Sequence, residues 1–317
     1  MRRLIGPVAV IGAACAALLL PLRAGLAWGP EGHRVIALIA DHALQQSDPA
    51  VRAKVLAILA TDKGGRPAKN DIASEAIWAD VLRDKSEEAR SATSAWHSVR
   101  LKPDSPDLAR ACFGRNPLPS GYPASHGPQD NCSVDKIEQF SIELKNPETS
   151  SFERLAALQF LLNLVGDLND PLHAIDRGDQ GGDCIALQLG SKPPVRLSTY
   201  WQDTLVGEVI GPNPAGGADR IAASLPAAES RKWADGTPED WARETYEIAK
   251  TVTYSFTAEH PTGKHTFPPR KGDVERCPSI DLYAVGPDYE TKALAAVKTQ
   301  LAKAGARLAH VLRESLK

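Results

Sequence analysis

"SSFERLAALQFLLNLVGDL", residues 150–168, decides the fold class of this chain. Its apolar residues Leu155, Leu158, Leu161, Leu162 and Val165 recur at helical spacing, which predicts one long helix. Polar groups break in near its C-terminal end. Asn163 and Asp167 stand four apart and so share a face, and Gly166 lets another group approach the backbone. The helix should stop before Pro171, which brings His173 round to the same end. The continuation "NDPLHAIDRGDQGGD" (169–183) then forms a tight acidic turn. A calcium-type or purely structural acidic loop has similar composition, but a His and an Asp at one helix end favour a site.

Working outward, helical signals dominate. "DPAVRAKVLAILA" (48–60) has Asp48 as N-cap and Pro49 at the first helical position. "TPEDWARETYEIAK" (237–250) opens on Thr237 as cap, then Pro238 and acids in the first turn. "EGHRVIALIADHAL" (31–44) is a further helix, and residues 290–316, rich in Ala, Leu, Lys and Arg, form one long closing helix. Strand signals are confined to "DCIALQLG" and "SKPPVRLS" (183–198), which predict one small hairpin. Two long loops, about 102–131 and 260–278, are rich in Pro and Gly. With no repeat and no linker, the expectation is an all-α fold: a mostly helical single domain with one small β-hairpin.

The first residues have the layout of a secretory signal peptide: Arg2 and Arg3, an apolar run, then Gly25 and Ala27 as small residues before Trp28. The alternative is an uncleaved membrane anchor over Leu4 to Leu22. Residues 1–27 are therefore expected to be the signal peptide and 28–317 the mature domain, periplasmic or secreted, with no membrane association after cleavage. Removal takes three arginines and no acid, leaving 34 Lys and Arg against 39 Asp and Glu. Such a surface does not hold nucleic acid by broad electrostatics, so a polyanion must be gripped locally, for instance by metal ions. Cys112, Cys132, Cys184 and Cys277 remain in the exported part, and an even number in an oxidising compartment suggests disulfides. Cys112 with Cys132 is the preferred pair, closing a Pro/Gly/Ser-rich loop, and Cys184 with Cys277 follows by elimination.

The residues able to carry chemistry are scattered, and all can bind a metal. Cleavage would free the α-amine of Trp28, which can coordinate a metal beside its own carbonyl, with His33 early in the helix that follows to set its ring beside that amine. Asp80 and Arg83 in "AIWADVLR" share a helix face, either as a solvated ion pair or as a metal ligand beside a phosphate clamp. "AWHSVR" adds His97. A single histidine is more often structural than ligating.

Taken together these segments resemble the zinc-dependent single-strand nucleases, the family of nuclease S-one, nuclease P-one and mung bean nuclease. The resemblance runs through "WGPEGHRVIALIA" at residue 28, "WADVLR", Trp96-His97, "VGDLNDPLH", "GGD", "YWQDTL", "WARETYEIA" and "LAKAGARLAHVL". It implies the largely helical phospholipase C / nuclease P-one-like fold and a cluster of three zinc ions. Carried over by motif, one zinc would use Trp28, His33 and Asp167. A second would use Asp80, His97, Asp167 and a histidine where this chain has Asn163. A third would use His173 with a histidine and an aspartate where this chain has Ser198 and Gln202. Asn163 offers a poorer zinc ligand than imidazole, and Ser198 and Gln202 leave His173 nearly alone. Arg100, Asn169, Asp170 and Asp183 also depart from the family pattern.

The resemblance thus implies an exported phosphodiesterase or endonuclease that cleaves single-stranded DNA or RNA to 5′-phosphate products. A monomer with fewer than three zinc ions is expected, with Asp167, Asp80 and Arg83 as the catalytic set. Two alternatives stay open. One is a degenerate relative acting as a binding or structural protein; the other is a phospholipase C-like enzyme, which shares the N-terminal Trp.

Overall fold

The computed structural model describes residues 27–62, 71–268, 277 and 279–317. The proposed signal peptide before Ala27 lies outside the described residues.

The central helix spans Ser151–Leu168, with the Ser150 hydroxyl accepting from the Glu153 amide as its cap. Every residue from Ala156 to Leu168 is buried, so the polar pair Asn163 and Asp167 enters the interior with the leucines. Helix α1, Gly29–Ser47, and the closing helix, Pro287–Leu316, pack against each other beside it. They approach closely at Gly305, where a Cβ would fall 2.4 Å from Ile39 Cγ2. Any larger residue there must push the two helices apart. Apolar side chains from all these elements join one contiguous core.

Local signals set most helix ends. Thr237 and Asp240 form a reciprocal capping box at the start of Pro238–Ile248. The Pro49–Leu59 helix starts where expected, but Asp48 does not cap it: its carboxylate instead accepts from Arg313 Nε at 2.6 Å. A charged partner brought in by the closing helix outcompetes the local amides.

The sheet is larger than the single hairpin expected. Strands β1 (Ile185–Leu189) and β2 (Val195–Arg196) pair antiparallel as that hairpin. Then β4 (Ile280–Val285) adds to β1 in parallel and β3 (Gly263–His265) pairs antiparallel with β4, in the order β2-β1-β4-β3. The β1–β4 pairing joins segments far apart in the chain, which short-range alternation does not report. Cys112 is bonded to Cys132, and Cys184 to Cys277, the latter tying β1 to the segment before β4. Among the described residues no helix is long and apolar enough to cross a membrane.

Candidate metal centre

The site begins at Trp28. Its backbone has φ 47°, a left-handed conformation uncommon for a bulky residue. The surroundings impose it. The indole is buried and donates from Nε1 to the Gly166 carbonyl at 2.9 Å, and the backbone N donates to Asp170 Oδ2 at 3.3 Å. The Trp28 carbonyl accepts from the Gly32 amide at 3.2 Å and so opens α1. His33 follows on the first turn and lies over Gly166, where a Cβ would stand 2.8 Å from His33 Nδ1. The glycine between Asn163 and Asp167 is there to admit an imidazole.

Asp167 is the hub. His33 Nε2 lies 3.3 Å from its Oδ1 and 3.8 Å from Asp80 Oδ2. His97, at the end of the short turn Ser94–His97, places Nδ1 2.6 Å from Asp167 Oδ2. Asp80, on Trp78–Lys85, takes Arg83 at 3.1 Å on Oδ1 and the Asn163 amide at 2.9 Å on Oδ2. Asn163 also donates to the Ala76 carbonyl at 2.9 Å, so its amide is turned with the nitrogens toward these acceptors.

All five of His33, Asp80, His97, Asn163 and Asp167 are buried. Burial pushes the His33 imidazole down, but Asp167 beside it and the charge of Asp80 outweigh this and hold its pKa above the ordinary value. For Asp167, burial alone would raise the pKa; His97 and His33 reverse it and hold the carboxyl well below the usual carboxylate range. Yet both nitrogens of His33, Nε2 of His97, Asn163 Oδ1 and Asp167 Oδ1 have no hydrogen-bond partner. So many unsatisfied buried polar atoms in one place are rare and expensive. Imidazole and carboxylate donors with free lone pairs are what zinc takes, so this donor set fits the metal.

The other end differs. His173 Nδ1 donates to the His97 carbonyl at 2.6 Å. Ser198 Oγ donates to Asp183 Oδ1 at 2.5 Å, and Gln202 Nε2 to Asp170 Oδ2 at 2.8 Å. Asp203 is exposed, with Oδ1 beside Gly29. Neither Ser198 nor Gln202 offers an imidazole or a carboxylate to join His173, so these residues do not fit a third zinc. Arg100 is exposed and donates to Ser98 Oγ at 3.0 Å. Cys112, Cys132 and Asp135 also bring ligand atoms together, but both sulfurs are spent in a disulfide.

Two contacts were not evident in the sequence: Asp170 to the Trp28 nitrogen, and Gln202 to Asp170. Asp170 stands before a proline and looks like a cap. Only packing shows that its second oxygen faces Trp28.

Residues 28–317 match the family model for S1/P1 nuclease. The chain is 24% identical to Endonuclease 4 of Arabidopsis thaliana over 302 residues, which is 92% of this chain and 90% of the relative. It is 24% identical to Nuclease P1 of Penicillium citrinum over 304 residues, 90% and 97% of the two. Nuclease S1 of Aspergillus oryzae matches at 24% over 218 residues, 66% of this chain and 68% of that protein.

Proposed function

This chain belongs to the S1/P1 nuclease family, and from that premise we propose that it is an exported, zinc-dependent endonuclease with a reduced metal cluster. Its substrate is single-stranded DNA or RNA, its products carry 5′-phosphates, and it works as a monomer in the periplasm or outside the cell. The observation that carries the reading is the buried group of unpartnered donors on His33, His97 and Asp167 beside Asp80.

His33, Asp167, Asp80 and His97 would hold the metal, with Trp28 contributing its amine and carbonyl once the chain is cut before it. When bound, zinc lowers the pKa of water and neutralises charge on a phosphodiester. Asp167 presents one oxygen to each histidine and so keeps both rings turned inward. Arg83 is held by Asp80 with its side chain only 12% exposed. That fixes a guanidinium at the site's edge, where it can donate to the non-bridging oxygens of the phosphate in the transition state. Asn163 clamps Asp80 against Ala76 and keeps its carboxylate from turning away.

The engagement of Ser198 and Gln202 by Asp183 and Asp170 favours a second reading, a relative that keeps the scaffold and binds without cleaving. One experiment separates the two. The chain starting at Trp28 is purified, its metal counted by elemental analysis, and single-stranded DNA and RNA assayed with added zinc. Bound zinc at fewer than three ions per chain, with cleavage, supports the nuclease; zinc-free protein without cleavage rejects it.

A further inference from the structure

We infer that Asp170 is a positioning residue for the terminal amine: it accepts a hydrogen bond from the nitrogen of mature Trp28 and aims that amine at the metal. The inference rests on the reading of Trp28 as a ligand.

Asp170 divides its two oxygens between two tasks. Oδ1 accepts from the Leu172 amide at 2.9 Å and caps the short helix Pro171–Ala174. An asparagine would do that equally well. Oδ2 faces two donors, the Trp28 nitrogen at 3.3 Å and Gln202 Nε2 at 2.8 Å. There an asparagine amide would set its own NH₂ against two other donors. Only a group that accepts on both oxygens satisfies the whole arrangement. The carboxylate is fully buried, as is Trp28, and Gln202 is nearly so.

Processing changes what stands at Trp28 N. A peptide nitrogen has one hydrogen and no usable lone pair. A freed amine keeps hydrogens to donate after it has given its lone pair to a metal. A carboxylate on those hydrogens orients the nitrogen and makes it a better donor, as carboxylates do for metal-bound histidines. Gln202, at a place where the resemblance calls for a ligand, then serves to hold Asp170 in position. The Asp170–Gln202 pair supports the first centre instead of building a third.

The test is a cycle on the zinc-loaded protein. Four proteins are compared: the chain beginning at Trp28, its Asp170→Asn variant, and both with one additional alanine before Trp28. Zinc affinity is measured by competition with a chromophoric chelator, and thermal unfolding confirms that each variant is folded. Asp170→Asn should weaken zinc by about 10- to 100-fold in the chain with a free Trp28 amine. In the extended chain, where that nitrogen is an amide, the same substitution should cost less than about 3-fold. Gln202→Leu, which leaves Asp170 intact but loosens it, should weaken zinc by only a few-fold, and only with the free amine. Equal losses in both backgrounds would reduce Asp170 to a helix cap and overturn the inference, as would no loss with the free amine. If the parent protein binds no zinc at all, the functional reading falls first. If it binds zinc equally with and without the added alanine, only the amine inference falls.

Discussion

The two ends of the candidate site have similar ingredients and opposite outcomes. Around Asp167, His33 and His97 bring imidazoles to one carboxylate, and several of their polar atoms are left without partners. Where the resemblance calls for a third zinc, Ser198 and Gln202 each donate to a buried aspartate, Asp183 and Asp170. The first end leaves buried polar atoms unpaired, which is costly, whereas Ser198 and Gln202 at the second end are paired within the protein. A buried polar site is thus open to metal when its donors outnumber its internal partners. At the second end Ser198 and Gln202 are spent on ordinary hydrogen bonds within the protein.

The largest effect should come from removing the hub. Asp167→Ala should abolish zinc uptake and cut cleavage of single-stranded DNA by more than about 1,000-fold, checked by elemental analysis and an oligonucleotide assay. Zinc retained at the parent level would break the contrast between the two ends. Next, Arg83→Ala should lower kcat by about 100- to 1,000-fold with zinc content unchanged, since the guanidinium is assigned to the phosphate and not to the metal. A parallel loss of zinc would show instead that Arg83 acts by holding Asp80.

Smaller changes sharpen the comparison. Asn163→His offers Asp80 an imidazole in place of an amide and should tighten zinc by about 10-fold in a chelator competition. Ser198→His alone should add no further ion, because Gln202 supplies no carboxylate to complete a third site.

The smallest effect concerns a buried charge outside both ends. Lys136 is fully buried, donates to the Ala124 carbonyl at 2.8 Å and lies 4.0 Å from the Trp96 ring centre. Burial pushes its pKa down to about 8. Above that pH the folded chain has released a proton that the unfolded chain still holds, so stability rises with pH. Between pH 8 and 10 the gain should be on the order of 1–2 kcal/mol, measured by urea unfolding. Above pH 10 burial of Tyr254 and Tyr289, which raises their pKa, works the other way. Lys136→Met should flatten the rise.

Much of the architecture was legible because it is local. The period of 150–168, the Thr237 cap and the Ala-rich tail each specify a helix from neighbours a few residues apart. The preferred pair Cys112–Cys132 also stands as expected, and so does Cys184–Cys277, which followed only by elimination. Asp48 and the sheet show where that reach ends. A distant arginine claimed the cap, and β1 found its main partner almost a hundred residues downstream. Loop-closing contacts of that kind leave no mark on the nearby sequence.

The candidate centre divides the same way. Residue types and spacing singled out Trp28, His33, Asp80, His97 and Asp167 as atoms able to ligate a metal, since chemistry belongs to the side chain itself. Which donors remained free was decided only by packing. Asn163 and Gln202 differ from ligands on paper by a few atoms, but their amide hydrogens could be spent on Asp80 and Asp170 only after four separate segments had come together. Hydrogen bonds at this range depend on tenths of an ångström across the core, and the order of residues along a chain carries no such distances.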